Sequence, residues 1–213
     1  MRKLVVSTFV TLDGVMQAPG GPEEDSANGF SSGGWSVNYW DDLMNQAMSE
    51  FMAKPFDLLL GRKTYEIFAA YWPYTNEPGA DLLNNARKYV ASRTLNKVGW
   101  NNSTLIEGDV VQEIRKLKEQ DGPELQVHGS SNFIQTLLKH NLVDEFHVWI
   151  FPVVTGYGKR LFDQGTVPSG LKLIDSKTSS TGVILATYEP GGALKTGTFV
   201  LENPAVEEHV RRE

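Results

Sequence analysis

Residues 58–66 read Leu58-Leu59-Leu60-Gly61-Arg62-Lys63-Thr64-Tyr65-Glu66, and the fold prediction starts from them. Three leucines are typical of a buried strand, and the glycine after them precedes two cations, a hydroxyl and a helical pattern. The first N–H groups of a helix lack backbone partners and lie at the positive end of its dipole. The segment Gly61-Arg62-Lys63-Thr64 is therefore a candidate phosphate site. The alternative, for this motif alone, is an ordinary strand-turn-helix with two solvated cations.

A second junction of this kind follows at residues 124–138. Residues 124–128 are typical of a strand, and residues 133–138 place four apolar side chains on one face of a helix. The turn between them begins Gly129-Ser130-Ser131, and either serine is a candidate N-cap or phosphate contact. Two such turns in one domain fit a ligand with several phosphates, such as a dinucleotide. Neither turn contains the G-x-G-x-x-G motif of the Rossmann fold.

Strand and helix patterns alternate along the chain. Strands are predicted at residues 3–11, 57–60, 88–91, 103–106, 124–127 and 145–154, and a hairpin is predicted from residues 170–178 and 182–189. Helices are predicted at residues 40–52, 62–70, 79–86, 109–119 and 131–140. This order predicts an α/β fold, with a mostly parallel, twisted sheet flanked by helices and a C-terminal antiparallel hairpin.

Composition limits the classes of function. A length of 213 residues suits one domain, and a net charge of −6 without a Lys/Arg cluster argues against nucleic acid as a partner. The chain has no cysteine, which excludes disulfides and thiolate chemistry, and its four histidines lack metal-ligand spacing. No apolar run reaches the length of roughly 18 residues that a membrane span needs. We therefore expect a cytoplasmic protein that binds a small molecule and no metal.

Five motifs, in order, connect the chain to a known family. They are Val5–Gly14, Leu60–Tyr65 with its "G-R-x-T" pattern, Tyr89–Arg93, Val127–Ser131, and Leu142–Glu145 followed by Phe151–Phe162. The last is similar to "L-V-D-E … P-v-x-x-G-x-G-x-x-L-F". Together they resemble the dihydrofolate reductase superfamily, and most closely the reductase domain at the C-terminus of bifunctional riboflavin-biosynthesis proteins. The resemblance implies a single dihydrofolate-reductase-like domain at residues 1–190 and a C-terminal extension at 191–213.

The resemblance implies a reductase that binds NADPH and transfers hydride to a heterocyclic or carbonyl substrate. Arg62 and the Ser92-Arg93 turn would hold the 2′-phosphate, which needs a cationic partner. Lys63 and Thr64 would hold the pyrophosphate from one side, and residues 129–131 from the other. A homodimer is also expected from the resemblance.

The nicotinamide half of the cofactor is placed by the same resemblance. Phe9 and Val10 would present strand backbone to the carboxamide, and Met16 and Gln17 would flank the ring. Because the cofactor supplies the hydride, no protein acid or base is implied for that step.

On the substrate side, the sequence departs from the family's pattern. Dihydrofolate reductases carry a carboxylate on the helix before the G-R-x-T strand, and by spacing Asn45 is nearest to that position. Asp41 and Asp42 begin this helix, where N-capping is the alternative to a catalytic role. The absence of that acid argues against folate reduction, and no catalytic residue is identified.

Three further residues are candidates for substrate contact. The loop at residues 12–37 contains Trp35, and Trp40 follows it; both could stack on a flat heterocycle or pack onto the core. Asp13 is a substrate candidate whose alternative is a turn former.

Two other classes of function remain open. The chain could be a non-catalytic module that binds a nucleotide or pterin, or a structural dimer on the same fold.

Overall fold

The computed structural model describes residues 1–199, which form one eight-stranded sheet with helices on both faces. The strands are β1 (Leu4–Thr11), β2 (Phe56–Gly61), β3 (Lys88–Ala91), β4 (Ser103–Leu105), β5 (Glu124–Val127), β6 (Glu145–Phe151), β7 (Ser169–Thr178) and β8 (Ile184–Ala193). The helices are α1 (Asp42–Met52), α2 (Arg62–Tyr71), α3 (Ala80–Asn85), α4 (Val110–Glu119) and α5 (Ser131–Lys139). Short 3₁₀ turns lie at Ala27–Gly29, Val37–Tyr39 and Trp72–Tyr74.

The strands lie in the order β4-β3-β2-β5-β1-β6-β8-β7. All pairings from β4 to β6 are parallel, and β8 is antiparallel to both β6 and β7. This confirms the predicted α/β fold, with its mostly parallel sheet and C-terminal antiparallel hairpin.

β6 ends earlier than predicted. β6 ends at Phe151 rather than at residue 154, because the next residue, Pro152, has no N–H group to donate to the ladder.

β8 extends beyond its predicted end. It pairs with β7 as far as Ala193, which lies opposite Ser169, so strand pairing passes residue 190. The division into residues 1–190 and 191–213 stays a prediction. By their sequence, residues 198–201 could form one more strand or a docking segment, and residues 205–213 are highly charged; the first segment lies partly and the second wholly outside the described residues.

The leucines of β2 explain why this strand forms the centre of the molecule. Leu58, Leu59 and Leu60 are fully buried. Leu59 belongs to the cluster that contains the apolar residues of α4 and α5, whereas Leu58 and Leu60 pack with Tyr65 of α2 on the opposite face. Successive side chains of a strand point to opposite faces, so a strand covered on both sides has an unbroken apolar run.

Aspartates cap two of the helices. Asp41 accepts a hydrogen bond from the N–H of Met44 at 2.9 Å, and Asp109 accepts from Val111 at 2.9 Å and Gln112 at 3.2 Å. The hydrogen bonds from Met44 and from Ser180 lower the pKa of Asp41. Asp41 therefore has the capping role that was the alternative to catalysis.

Candidate cofactor site and adjoining cleft

The two glycine turns lie side by side at one edge of the sheet. β2 and β5 are parallel neighbours, so both end there, and α2 and α5 begin there. The N–H of Gly61 donates to the carbonyl oxygen of Gly129 at 3.1 Å, and the N–H of Thr64 donates to Ser130 Oγ at 3.2 Å. The residues predicted for one phosphate site are thus brought together.

Neither glycine has room for a side chain. A Cβ on Gly61 would lie 2.7 Å from Ser130 Oγ and 2.9 Å from Ser130 N, and a Cβ on Gly129 would overlap Thr64 Oγ1. Glycine is therefore needed at both positions for the turns to approach this closely. The N-cap of α2 is Gly61, which offers no side-chain acceptor, so the hydroxyl of Ser130 caps this helix from the neighbouring turn.

The predicted cations surround this edge. Gly61 lies opposite Ala91 of β3, so Arg62 and Ser92 follow paired residues. Arg62 is exposed, and its guanidinium forms an ion pair with Glu66 of the same helix at 3.0 Å. The exposed Arg93 and the half-buried Lys63 form no ion pair with any residue from 1 to 199.

Ser92 has a structural task at the end of β3. Its Oγ accepts hydrogen bonds from the N–H groups of Thr94 at 3.1 Å and Leu95 at 2.9 Å, which fixes the turn that carries Arg93.

The backbone of β1 lines an opening beside the glycine turns. β1 pairs with β5 only as far as Val6, opposite Val127, but with β6 as far as Thr11. The carbonyl of Lys3 accepts from β5, so the odd-numbered residues of β1 direct their backbone groups to that side. The backbone groups of Phe9 therefore face the space beyond the end of β5, whereas those of Val10 face β6.

Met16 and Gln17 are both buried in the loop after β1. The Gln17 amide donates to the carbonyls of Asp25 at 2.9 Å and Ala27 at 3.0 Å and accepts from the N–H of Lys159 at 3.0 Å. These bonds hold the loop together, and they use both N–H donors of the amide, so it has no donor left for a ligand.

Asp13 joins the loops that follow β1 and β6. Its carboxylate accepts hydrogen bonds from Thr11 Oγ1 at 2.6 Å and from the N–H groups of Thr155 at 3.3 Å and Gly156 at 2.9 Å. Burial raises the pKa of Asp13, but these hydrogen bonds outweigh it and hold the pKa below its ordinary value. Arg160 also hydrogen bonds to the Asp13 carbonyl, which favours the turn-forming interpretation of Asp13.

The aromatic residues that were predicted to contact cofactor or substrate pack against other aromatic rings of the protein. Phe9 lies 5.1 Å from Trp149 and 5.8 Å from Trp40, measured between ring centroids. Trp35 packs on Phe151 at 5.3 Å and donates through Nε1 to the carbonyl of Gln17. Trp149 and Phe151 are part of the core beneath α1. Phe9, Trp35 and Trp40 are partly buried and pack against this core.

Asn45 lies on the exposed side of α1 and does not line the cleft that this helix covers. The spacing from the family's carboxylate thus leads to a solvent-facing position.

A cleft of about 370 Å³ lies between α1 and the sheet. Its lining residues come from β1, α1 and the segment after it, β6, β7 and β8: Ser7, Ala47, Met48, Glu50, Phe51, Lys54, His147, Trp149, Asp175, Lys177, Leu185, Ala186 and Thr187. Among them, His147 donates through Nε2 to Glu145 Oε1 at 2.6 Å. Sequence analysis missed this pair, although polar residues at alternate positions of an apolar strand were the available signal.

Glu145 also accepts a hydrogen bond from Lys3 Nζ at 2.8 Å. Burial raises the pKa of Glu145, but the hydrogen bonds from Lys3 and His147 outweigh it, so its pKa is lowered and it remains a carboxylate at neutral pH.

His128 lies at the entrance to the second glycine turn. Its ring packs between Phe51 and Phe68, at centroid distances of 6.4 and 6.0 Å, and Nε2 lies 3.3 Å from Gln126 Oε1. Burial, and secondly the charge of His147, lower the pKa of His128 to about 4. His128 is therefore neutral at physiological pH.

Two other kinds of site are absent from the part of the chain that the structure describes. Residues 1–199 contain no group of three or more His, Cys, Asp or Glu side chains suited to a metal ion. None of their helices combines the length and apolarity required to span a membrane.

Known proteins share both the sequence pattern and the fold. The model of the RibD C-terminal domain family matches residues 2–185. Uncharacterized protein YyaP of Bacillus subtilis (strain 168) is 29% identical over 196 residues, which cover 90% of this chain and 96% of that protein.

Two solved structures show the same fold. A Shewanella sp. PV-4 protein described as a riboflavin biosynthesis protein superposes with a TM-score of 0.65 at 21% identity, covering 88% of this chain and 98% of that one. Dihydrofolate reductase from Enterococcus faecalis, solved with NADP(H), superposes with a TM-score of 0.54 at 14% identity, covering 89% and 96%.

Proposed function

This chain belongs to the RibD C-terminal domain family, and we propose that it is an NADPH-dependent reductase of a small nitrogen heterocycle of the pterin or aminopyrimidine type. One observation carries the proposal. The turns at Gly61 and Gly129 touch at the ends of neighbouring parallel strands, with Arg62, Lys63 and Arg93 around them. Ligands of open α/β sheets bind at the carboxyl ends of the strands, and helix N-termini there suit phosphate groups.

The adenosine end of the cofactor fits the cationic side of this edge. Arg62 and the Ser92-Arg93 turn would hold the 2′-phosphate, and the start of α2 with residues 129–131 would hold the pyrophosphate. The ion pair of Arg62 with Glu66 is exposed and spans one helical turn. Such pairs contribute only about 0.3–0.5 kcal/mol, so a phosphate can replace the glutamate.

The nicotinamide end fits the opening beside β1. The backbone of Phe9 faces this space and offers a donor and an acceptor to a carboxamide. A bound reduced nicotinamide would supply the hydride, and the protein would orient it and exclude water. The dihydrofolate reductase of Enterococcus faecalis, which holds NADP(H) on this fold, supports the assignment.

A thermal-shift titration with NADPH and with NADH tests the cofactor. NADPH should raise the melting temperature more than NADH does, and Arg62→Ala should remove this preference with a loss of NADPH affinity of about 10- to 100-fold, because a charged contact to the 2′-phosphate is lost. Arg115→Ala, at an exposed arginine of α4, is the matched control and should leave the preference intact.

Each outcome of this titration has a defined meaning. Stabilisation by neither nucleotide would contradict the reductase and favour the structural dimer. If NADPH binds, its oxidation should be followed at 340 nm with pterins, flavins and aminopyrimidines. Binding without oxidation of NADPH by any compound would favour the non-catalytic binding module.

We also propose that two copies associate through β7. This ten-residue strand lies at the edge of the sheet, and it exposes Leu171, Leu173 and Ile174. A long, exposed apolar edge strand favours pairing with another chain.

A further inference from the structure

The cleft beneath α1 contains a polar pair that the cofactor site does not use. His147 lies on β6, directly between Ser7 of β1 and Thr187 of β8. All three side chains line the cleft, which adjoins the strand that carries Phe9. The acceptor side of the reaction therefore has an open polar surface next to the proposed nicotinamide position.

The surroundings of His147 are those of a general acid. Glu145 Oε1 lies 2.6 Å from Nε2, and no group within residues 1–199 forms a hydrogen bond with Nδ1. The His147 side chain is 24% exposed, so it is accessible from the cleft and shielded on its other side. A carboxylate that orients an imidazole and stabilises its charged form is a recurring arrangement in proton transfer.

We propose that this cleft binds the heterocyclic acceptor and that His147, held by Glu145, donates the proton that accompanies hydride transfer. The inference rests on the proposed reductase function. It assigns the acceptor to the cleft instead of to Trp35, Trp40 and Asn45, because the two tryptophans are partly buried against the aromatic core beneath α1 and Asn45 faces solvent.

The step balances as the reduction of a carbon–nitrogen double bond. The ring carbon takes the hydride of the reduced nicotinamide, and the π electrons of the C=N bond take the proton from Nδ1 of the His147 imidazolium. The products are a C–H and an N–H bond, the oxidised nicotinamide and a neutral imidazole, which regains its proton from water at the open side of the cleft.

The volume of the cleft limits the acceptor to a small molecule. At about 370 Å³ it lies near the lower end of the roughly 300–1,000 Å³ typical of ligand sites. One or two fused rings fit this range.

Other titratable groups near the cleft are less suited to proton donation. His128 is enclosed by Phe51 and Phe68 and is neutral. Besides Glu145 on β6, the titratable groups that line the cleft or lie near the His147–Glu145 pair are Lys3 before β1, His128 after β5, Glu50 and Lys54 on or after α1, and Asp175 and Lys177 on β7. Glu145 is the only one of them in hydrogen-bond contact with the imidazole among the described residues.

His147→Gln tests the donor with a compound that the wild-type protein reduces. The expected result is a fall in kcat of about 10²- to 10⁴-fold, the usual contribution of a positioned acid, with the NADPH-induced thermal shift unchanged. The pH dependence of kcat should also differ between His147→Gln and the wild-type protein. Glu145→Gln should give a smaller fall, because it keeps the imidazole and removes the carboxylate that stabilises its charge.

The proposal and the reductase function fail in different ways. If NADPH binds and is oxidised but His147→Gln retains the wild-type kcat and pH profile, His147 is not the donor and the reductase function stands. If the wild-type protein neither binds nor oxidises NADPH, the reductase function itself fails.

A second measurement does not depend on turnover. The imidazole NMR signals of His147, assigned by their loss in His147→Gln, should shift when 2,4-diaminopyrimidine is added to the NADP⁺ complex. NADP⁺ alone should move them much less. Signals that stay in place at saturating diaminopyrimidine would overturn the cleft as the acceptor site.

Discussion

At the scale of single residues, the surroundings of a titratable ring determine its charge. His128 and His147 are neighbours on the same side of the sheet, yet only His147 has a carboxylate partner. His128 is enclosed by two phenylalanine rings, which disfavour its protonated form. His128 is therefore expected to stay neutral until the pH falls to about 4.

Acid should destabilise the protein through His128. Its folded-state pKa of about 4 lies below the unfolded value of about 6.5, so the unfolded state binds more protons between these values. The stabilisation is fully present above about pH 6.5 and is lost as the pH falls toward 4. Urea unfolding at pH 7 and 4.5 should show that His128→Gln loses about 2 kcal/mol less than the wild type does. Equal losses would contradict the assignment.

Lys88 illustrates what could not be predicted at this scale. Its side chain is fully buried, donates to the carbonyls of Asn84, Ala86 and Asn101 at 2.8–3.0 Å, and lies 4.1 Å from the Trp100 ring centroid. Burial lowers its pKa to about 8. The strand pattern at residues 88–91 predicts the strand but not this environment, because the acceptors come from the C-terminal end of α3 and from the loop between β3 and β4.

At the scale of elements, the contact between two turns determines which side chains are tolerated. Gly61→Ala should lower the free energy of unfolding by about 1–3 kcal/mol, because the new Cβ would overlap the backbone and hydroxyl of Ser130. NADPH affinity should fall by at least about tenfold, since a misplaced turn loses its charged contacts. Chemical unfolding and NADPH titration measure these two effects.

Gly99→Ala is the control for this prediction. An added Cβ at Gly99 meets no atom within 4 Å, so stability and NADPH affinity should both stay close to wild type. If Gly61→Ala behaved in the same way, the close contact of the turns would not be needed for either property.

Local patterns predicted elements better than they predicted sites. The leucine run of β2 and the helix predicted at 109–119 depend on residues that are close in sequence, and the structure has both, with α4 at Val110–Glu119. Lys159, which donates to Gln17, and Gly156, which donates to Asp13, lie in the loop after β6, more than 140 residues away. Sequence alone therefore named these residues as candidates without showing that their side chains are already engaged.

At the scale of the whole molecule, one end of the sheet is left uncovered by the residues that the structure describes. β7 lies at this end, and its apolar side chains are exposed although the chain carries a net charge of −6. The sequence predicted the hairpin and suggested a dimer through family resemblance. It could not show which surface is apolar, because that depends on which strands the helices cover.

Leu173→Lys should convert the proposed dimer to a monomer. Leu173 is 51% exposed at the sheet edge, and a buried charge at an interface is costly. Light scattering coupled to size exclusion should show a halved mass. Leu82→Lys, at a leucine of α3 that is 49% exposed, is the control and should leave the mass unchanged. A wild-type protein that is already monomeric would contradict the proposal.

The lengths of two strands have a consequence for the evolution of this protein. β1 has eight residues and β5 only four. On the β5 side, this difference leaves the backbone of Phe9 without a neighbouring strand. The opening beside β1 thus exists because a stretch of the hydrogen-bond ladder between β1 and β5 is missing. It requires no hinge between domains. An insertion that lengthened β5 by two residues would extend its pairing with β1 and close the gap. A deletion in β5 would widen the gap.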